Sequence, residues 1–250
     1  MYYLSVGAIF KNESHILKEW ITHYLRRGVE HFYLINDNST DDFMGILEEY
    51  RNAGRITLFH VNEPYYLGRQ KTLYNLYILP RLKDTQWLLM VDLDEFVWSK
   101  RSVEMTEVLR ELEQYGQLQI SEALFGSNGH ETQPKNVVSS FVKRREEYSD
   151  RYKYFVNCSF EFSSLNVHYA TFMEERYMKD PSIFIAIYPE YFIMNHYNCQ
   201  SREFWNRVKC TRGDADNYLI RTSNDFIGLD CNEIEDTGLC EQNAGQDSLA

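Results

Sequence analysis

Cysteine is missing where most of a fold must be built. None occurs before Cys158, and the five present include no C-x-x-C pair. That excludes a disulfide framework and the usual zinc and dithiol spacings. The cysteines read as mostly free thiols of a reducing compartment, with Cys231 and Cys240 as the pair that would form otherwise. Excess positive charge is missing too. Lys and Arg number 26 against 37 Asp and Glu, a net charge of −11, which argues against a nucleic-acid partner. No run approaches the roughly 20 apolar residues of a membrane span. The start, Met1 to Phe10, lacks a basic region and reaches Lys11 early, so no signal peptide is read. These absences favour a cytoplasmic protein, with the membrane surface as a second place for it, or a Golgi-lumen one if the sequence is a piece of a longer chain. No internal repeat is present.

What remains is an ordinary globular composition, 44% hydrophobic and 25% charged over 250 residues. The 19 tyrosines offer stacking faces with polar tips, which suits a groove for sugars or nucleobases. Tyr3 to Phe10 reads as a buried strand. Ile16, Leu17, Trp20, Ile21, Tyr24 and Leu25 recur at helical spacing behind a capping Ser14, and Gly28 ends the run. His31 to Asn36 is a second strand, followed by a polar turn and a helix reaching Tyr50. Residues 55–61 form a third strand, and 69–82 have helical spacing. Trp87 to Val91, five apolar residues in a row, is a fourth strand buried on both faces. This alternation predicts an α/β fold with a doubly wound, mostly parallel sheet and right-handed crossovers. Beyond a helix at 105–115, the pattern predicts a strand at 117–125, a strand-rich aromatic stretch at 137–172, a strand-like run at 184–196 and a short helix at 201–210. The end, 241–250, reads as a disordered tail.

Three strands end in polar turns: Asn12-Glu13, Asp37-Asn38 and Asp92-Leu93-Asp94. In open α/β sheets ligands bind outside the carboxyl ends of the strands. If 92–94 stays extended, Asp92 and Asp94 point the same way. Two hard oxygen ligands meeting at one point suit Mg²⁺ or Mn²⁺, with its other positions left for water and phosphate.

The motifs in order are K-N-E after the first strand, H-F-Y-L-I-N-D-N-S-T-D, W-L-L-M-V-D-L-D-E-F, F-G-S-N-G-H, N-H-Y, S-x-E-F and K-x-x-R-G. Over residues 3 to 240 this series resembles the nucleotide-sugar-dependent glycosyltransferases of GT-A fold, in the group around glycosyltransferase family 92 and its family 2-like relatives. The resemblance implies a GT-A-like domain over 1–240, with a nucleotide-sugar-binding half (1–116) and an acceptor-binding half (117–240). It implies a UDP-sugar donor, Mn²⁺ (or Mg²⁺), a glycan or glycolipid acceptor and inverting transfer. By the same resemblance Asp92 and Asp94 hold metal and diphosphate, and Asp37 reads the nucleotide base. Asn12 and Glu13 meet the nucleotide, His196 completes the metal shell, and Arg207, Lys209 and Arg212 face the diphosphate. One departure stands out: the family shows Lys-Ser where this chain has Gln200-Ser201, which shifts phosphate neutralisation to Arg202 or Lys209.

Inverting transfer needs a base for the acceptor's proton. Glu95, beside the acidic motif, and Asp236 or Glu235 in the late acidic stretch are the candidates. His130 and Glu131, after the glycine loop, are placed on the acceptor side. His168 is read as belonging to the fold or the acceptor groove. Two other readings compete: a catalytically inactive sugar- or nucleotide-binding scaffold, and a haloacid-dehalogenase-like phosphatase with Asp92 as nucleophile. The latter fits poorly, because its motif belongs on the first strand and Gly213-Asp214-Ala215-Asp216 is a weak match to its later acidic pair.

Overall fold

A computed structural model describes residues 1–213, 215 and 219–247. The chain opens with β1 (Tyr2–Phe10), α1 (Ser14–Leu25), β2 (His31–Asp37), α2 (Phe43–Asn52) and β3 (Ile56–Val61). Next come α3 (Arg69–Leu73), β4 (Thr85–Met90), β5 (Glu95–Trp98), α4 (Met105–Arg110) and β6 (Gln117–Leu124). The second part holds β7 (Lys143–Arg144), β8 (Ser149–Asn157), β9 (Phe162–Leu165), β10 (Ala170–Phe172), β11 (Phe184–Ile187) and β12 (Ile193–His196). It closes with α5 (Arg202–Phe204), α6 (Ser223–Leu229), β13 (Ile234–Glu235) and α7 (Gly238–Asp247).

One sheet of nine strands carries the fold, in the order β3-β2-β1-β4-β8-β6-β12-β5, with β11 also paired to β6. The first four strands in that order are parallel and joined by helices, as expected for an α/β, doubly wound, GT-A-like core. β8 then enters antiparallel between β4 and β6. β12 lies parallel to β6 and antiparallel to β5. The sheet therefore runs without a break through both halves of the chain. On one face Trp20, Phe32, Trp87, Phe96 and Tyr197 are buried in the larger core, with α1 and α4. On the other, Tyr74, Ile78, Met90 and Tyr154 pack with β9 and β10.

Several local expectations need correction. Ser14 is the first helical residue rather than the cap: Glu13 occupies that place, and the Ser14 N–H is satisfied by Asp41 at 2.7 Å. The helix at 69–82 changes pitch, with a π-turn at Tyr74–Ile78 and a 3₁₀ turn at Leu79–Asp84 where Pro80 removes a donor. Likewise α5 runs into a π-turn at Trp205–Lys209. The apolar run 184–196 is two strands, because β11 and β12 pair successive parts of β6. The tail reading also fails over 241–247, which belong to α7. Leu239 is buried there, and Arg27 donates to Gln242 (2.8 Å) and Asn243 (2.9 Å). A single apolar anchor and a buried arginine needing acceptors order a segment that composition alone leaves bare. Asp214, Asp216 and residues 248–250 lie outside the described residues.

Candidate active site

The acidic motif is a turn. β4 stops at Met90, and the Glu95 N–H bonds back to the Asp92 carbonyl at 3.2 Å. Two α1 side chains hold this turn from below. The Trp20 indole donates to the carbonyls of Asp92 and Glu95, both at 3.1 Å, and the Tyr24 hydroxyl to that of Glu95 at 3.0 Å. From the other side the Tyr197 N–H donates to the Asp94 carbonyl at 2.8 Å.

Because the chain turns here, the side chains of Asp92 and Asp94 part company. Asp92 accepts from Lys153 Nζ at 2.7 Å through one oxygen and from Gln70 at 3.3 Å through the other. Asp94 accepts from Lys209 Nζ at 2.8 Å, and its other oxygen lies 3.5 Å from His196 Nε2. The expected trio of Asp92, Asp94 and His196 is thus not gathered. Among the described residues no group of three His, Cys, Asp or Glu side chains is arranged to hold an ion. The i, i+2 argument fails because it requires an extended chain.

His196 reaches Asp94 through sheet register, since β12 pairs with β5 and sets His196 opposite Glu95. Its Nδ1 is bonded to Glu122 of β6. A carboxylate behind a histidine fixes the tautomer and leaves Nε2 as the ligand. Asp94 and His196 Nε2 are therefore two donors of the kind that could hold a divalent ion. Burial alone would make His196 harder to protonate. Asp94 and Glu122 outweigh that and hold its proton well above the ordinary histidine range. Glu122 is pushed the other way: burial opposes its charge, but His196 brings it down to about 2. Burial likewise disfavours ionised Asp94, and Lys209 with His196 still hold it well below the carboxylate range.

Glu95 lies beneath the turn, 3% exposed. It accepts from the Asp92 N–H at 2.7 Å and sits 3.5 Å from Lys153. Burial raises its pKa to about 7, against the pull of Lys153 and with help from Asp92. Lys153 keeps its proton despite burial, because Asp92 and Glu95 flank it.

A cavity of about 380 Å³ opens at this edge of the sheet, where β1, β2 and β4 end. Glu13, Asp37, Asp92, Asp94, Glu95 and Glu122 line it, and so do Lys11, Arg151, Lys153, Lys209, Arg212 and Arg221. Asp37 is paired with Arg69 at 2.5 Å, and Glu13 with Arg212 at 2.9 Å. Arg212 also bonds the Lys11 carbonyl, tying the late basic segment to the end of β1.

Of the residues singled out from sequence, Glu13, Asp37, Asp92, Asp94, Glu95, His168, His196, Lys209 and Arg212 line this cavity. Asn12, His130, Asp236 and Arg207 do not. Asn12 adopts a left-handed backbone, and its side chain accepts from Thr40 N at 2.7 Å, joining the loops after β1 and β2. Asp236 binds Arg144 at 2.7 Å beside the β7–β13 pair. His130 bonds the Ser140 carbonyl at 3.1 Å and packs on Phe141. Arg207 pairs with Glu203 on the exposed side of its turn. Gln200, at the departure from the family pattern, is buried and bonded to His15 and Gln133, and Arg202 stacks on Phe226. Lys153, Glu122 and Gln70 were not singled out from sequence. Their signal was a charged or amide side chain inside an apolar or helical run, and Lys is almost never fully buried unless paired.

A doubly wound α/β domain thus carries, at the carboxyl edge of its parallel strands, a cavity in which acidic and basic side chains are paired around an acidic turn. Residues 2–219 match the family model described as glycosyltransferase family 92, and the chain belongs to that family. A family 92 protein of Oryza sativa subsp. japonica is 22% identical over 200 residues, covering 79% of this chain and 33% of the relative. One of Ricinus communis is 21% identical over 214 residues, covering 82% and 38%. The chain thus spans about a third of the length of the curated relatives it matches. Among solved structures, S. aureus TarS 1-349 in complex with UDP-GlcNAc matches at 16% identity and a TM-score of 0.42, covering 65% of this chain and 49% of that one. No helix among the described residues is long and apolar enough to cross a membrane.

Proposed function

We propose that this domain transfers a sugar from a nucleotide sugar, UDP-linked, to a hydroxyl of a glycan or glycolipid, with inversion and with the help of Mn²⁺ or Mg²⁺. The observation that carries this reading is the concentration of Lys153, Lys209 and Arg212 around Asp94 and His196, in a chain whose net charge is −11. Asp94 and His196, backed by Glu122, would hold the ion, which neutralises charge on the departing diphosphate when bound. Lys209 and Arg212 would take over phosphate oxygens, the duty that Gln200 does not perform. Lys153 fixes Asp92 and Glu95, and so keeps the turn in one shape. Asp37 and Glu13, at the ends of β2 and β1, would meet the nucleoside.

Calorimetric titration of UDP, and separately GDP, with and without Mn²⁺ tests this. Binding of UDP that requires Mn²⁺ and is lost in Asp94→Ala is the expected outcome. No binding of either nucleotide under any metal condition would sink the reading. UDP binding without turnover on any acceptor would leave the inactive scaffold.

A further inference from the structure

Transfer with inversion leaves one role open, the group that removes the acceptor's proton. Every carboxylate lining the cavity, from Glu13 to Glu122, is held by an arginine, a lysine or His196. Asp94 and Glu13, whose cations would turn to phosphate, are on the proposed reading committed to the ion and the nucleoside. Both ring nitrogens of His196 are committed, one to Glu122 and the other toward Asp94. Among the described residues of the cavity, that leaves His168 as the proton acceptor with no charged partner.

His168 sits in the turn between β9 and β10. Its Nδ1 is 2.9 Å from the Tyr152 carbonyl, so Nδ1 carries the hydrogen and donates it. Nε2 is then the bare acceptor, and it has no partner among the described residues. The turn itself is pinned from three sides. Gln119 donates to the His168 carbonyl at 3.4 Å, the Tyr154 hydroxyl to the Asn166 carbonyl at 2.6 Å, and Leu165 N–H to Asn75 at 2.9 Å. A ring oriented by a backbone carbonyl, on an anchored turn at a cavity wall, is arranged like a base held ready by a third group.

We propose that His168 is the catalytic base of the transfer, an assignment that rests on the transferase reading. The acceptor oxygen forms its bond to the anomeric carbon while the bond from that carbon to the phosphate oxygen breaks, its electron pair leaving with the diphosphate. The hydroxyl proton passes to His168 Nε2, and the imidazolium, still bonded to Tyr152, later releases it to water.

The experiment compares the wild-type chain with His168→Ala and His168→Gln. UDP affinity in the presence of Mn²⁺ is measured alongside transfer from a panel of UDP-sugars to mixed oligosaccharides. His168 is exposed, so both variants are expected to fold. The expected result is UDP affinity within about twofold of wild type and transfer lowered by about 10²–10⁴-fold in both, the span general bases supply. Added imidazole should restore part of the rate in His168→Ala. The Gln variant separates the roles, because its amide can donate to the Tyr152 carbonyl yet takes no proton. Transfer by His168→Gln within about fivefold of wild type overturns the assignment alone. Wild-type protein that neither binds UDP nor transfers overturns the transferase reading, and the assignment with it.

Discussion

Lys153 and Lys209 each stand beside one aspartate of the acidic turn, and their partners differ in what they can release. Lys209 touches Asp94 at the cavity wall, where a phosphate could replace the carboxylate. Lys153 is 3% exposed and has both Asp92 and Glu95 around it. Removing one partner of a buried ion pair leaves an uncompensated charge. Lys153→Met is therefore expected to cost about 3–5 kcal/mol of stability, read as a lowered Cm in urea. On the proposed reading Glu122 would act on the ion only through His196. Glu122→Ala should weaken Mn²⁺ affinity about 10–100-fold with the fold retained, measurable by Mn²⁺ titration in the presence of UDP. An unchanged affinity would mean that His196 is not a ligand.

At the scale of elements, the site depends on strands that meet from distant parts of the chain. β5 continues from the acidic turn and pairs with β12, which sets His196 against it. β8 pairs with β4 up to Met90, which brings Lys153 beside the start of the turn. The glycine loop after β6 is packed as tightly. A Cβ at Gly126 would lie 2.3 Å from the Cys231 carbonyl, a backbone atom that has no rotamer to yield. Gly126→Ala is expected to destabilise by about 1–3 kcal/mol and to loosen the segment from Cys231 to β13. Hydrogen exchange at Glu233 and Asp236, whose amides bond Arg144 and Val142, would report that loosening.

Over the whole molecule, folding removes histidines from water with unequal consequences. His23 is fully enclosed between α1 and β5, with Nε2 on the Val97 carbonyl at 2.8 Å and a bare, buried Nδ1. Burial and then Arg27 hold its protonation well below the ordinary range. The native state thus keeps His23 neutral, while the unfolded chain binds a proton below about pH 6.5. Stability from this source is present above that pH and falls as pH drops through it, by about 1.4 kcal/mol per unit. His23→Phe should lower stability near neutrality but flatten its decline between about pH 6.5 and 5, followed by thermal unfolding across pH. An equal decline in both proteins would mean that His23 is protonated in the native state.

The sequence by itself determined the layout. Buried strands alternating with amphipathic helices have one economical arrangement, a parallel sheet with polar turns along one edge, and so the place of Glu13, Asp37 and the acidic turn could be read directly. The order of motifs sufficed for the family, and the late His196, Lys209 and Arg212 could be named with it. Tertiary structure decided who pairs with whom. Asp92 and Asp94 diverge because Trp20 and Tyr24 bind the backbone between β4 and β5 into a turn, a contact no local pattern encodes. Lys153 and Glu122 enter the site because β8 and β6 run antiparallel within a sheet that begins parallel, a pairing fixed by long-range register. Asp236 and His130 fall outside it for the same reason: sequence proximity to acidic or glycine-rich stretches says nothing about which edge of the sheet a loop returns to. Local periodicity is a property of a dozen residues at most, whereas a cavity is closed by side chains more than a hundred positions apart, and only their packing selects which charges face each other.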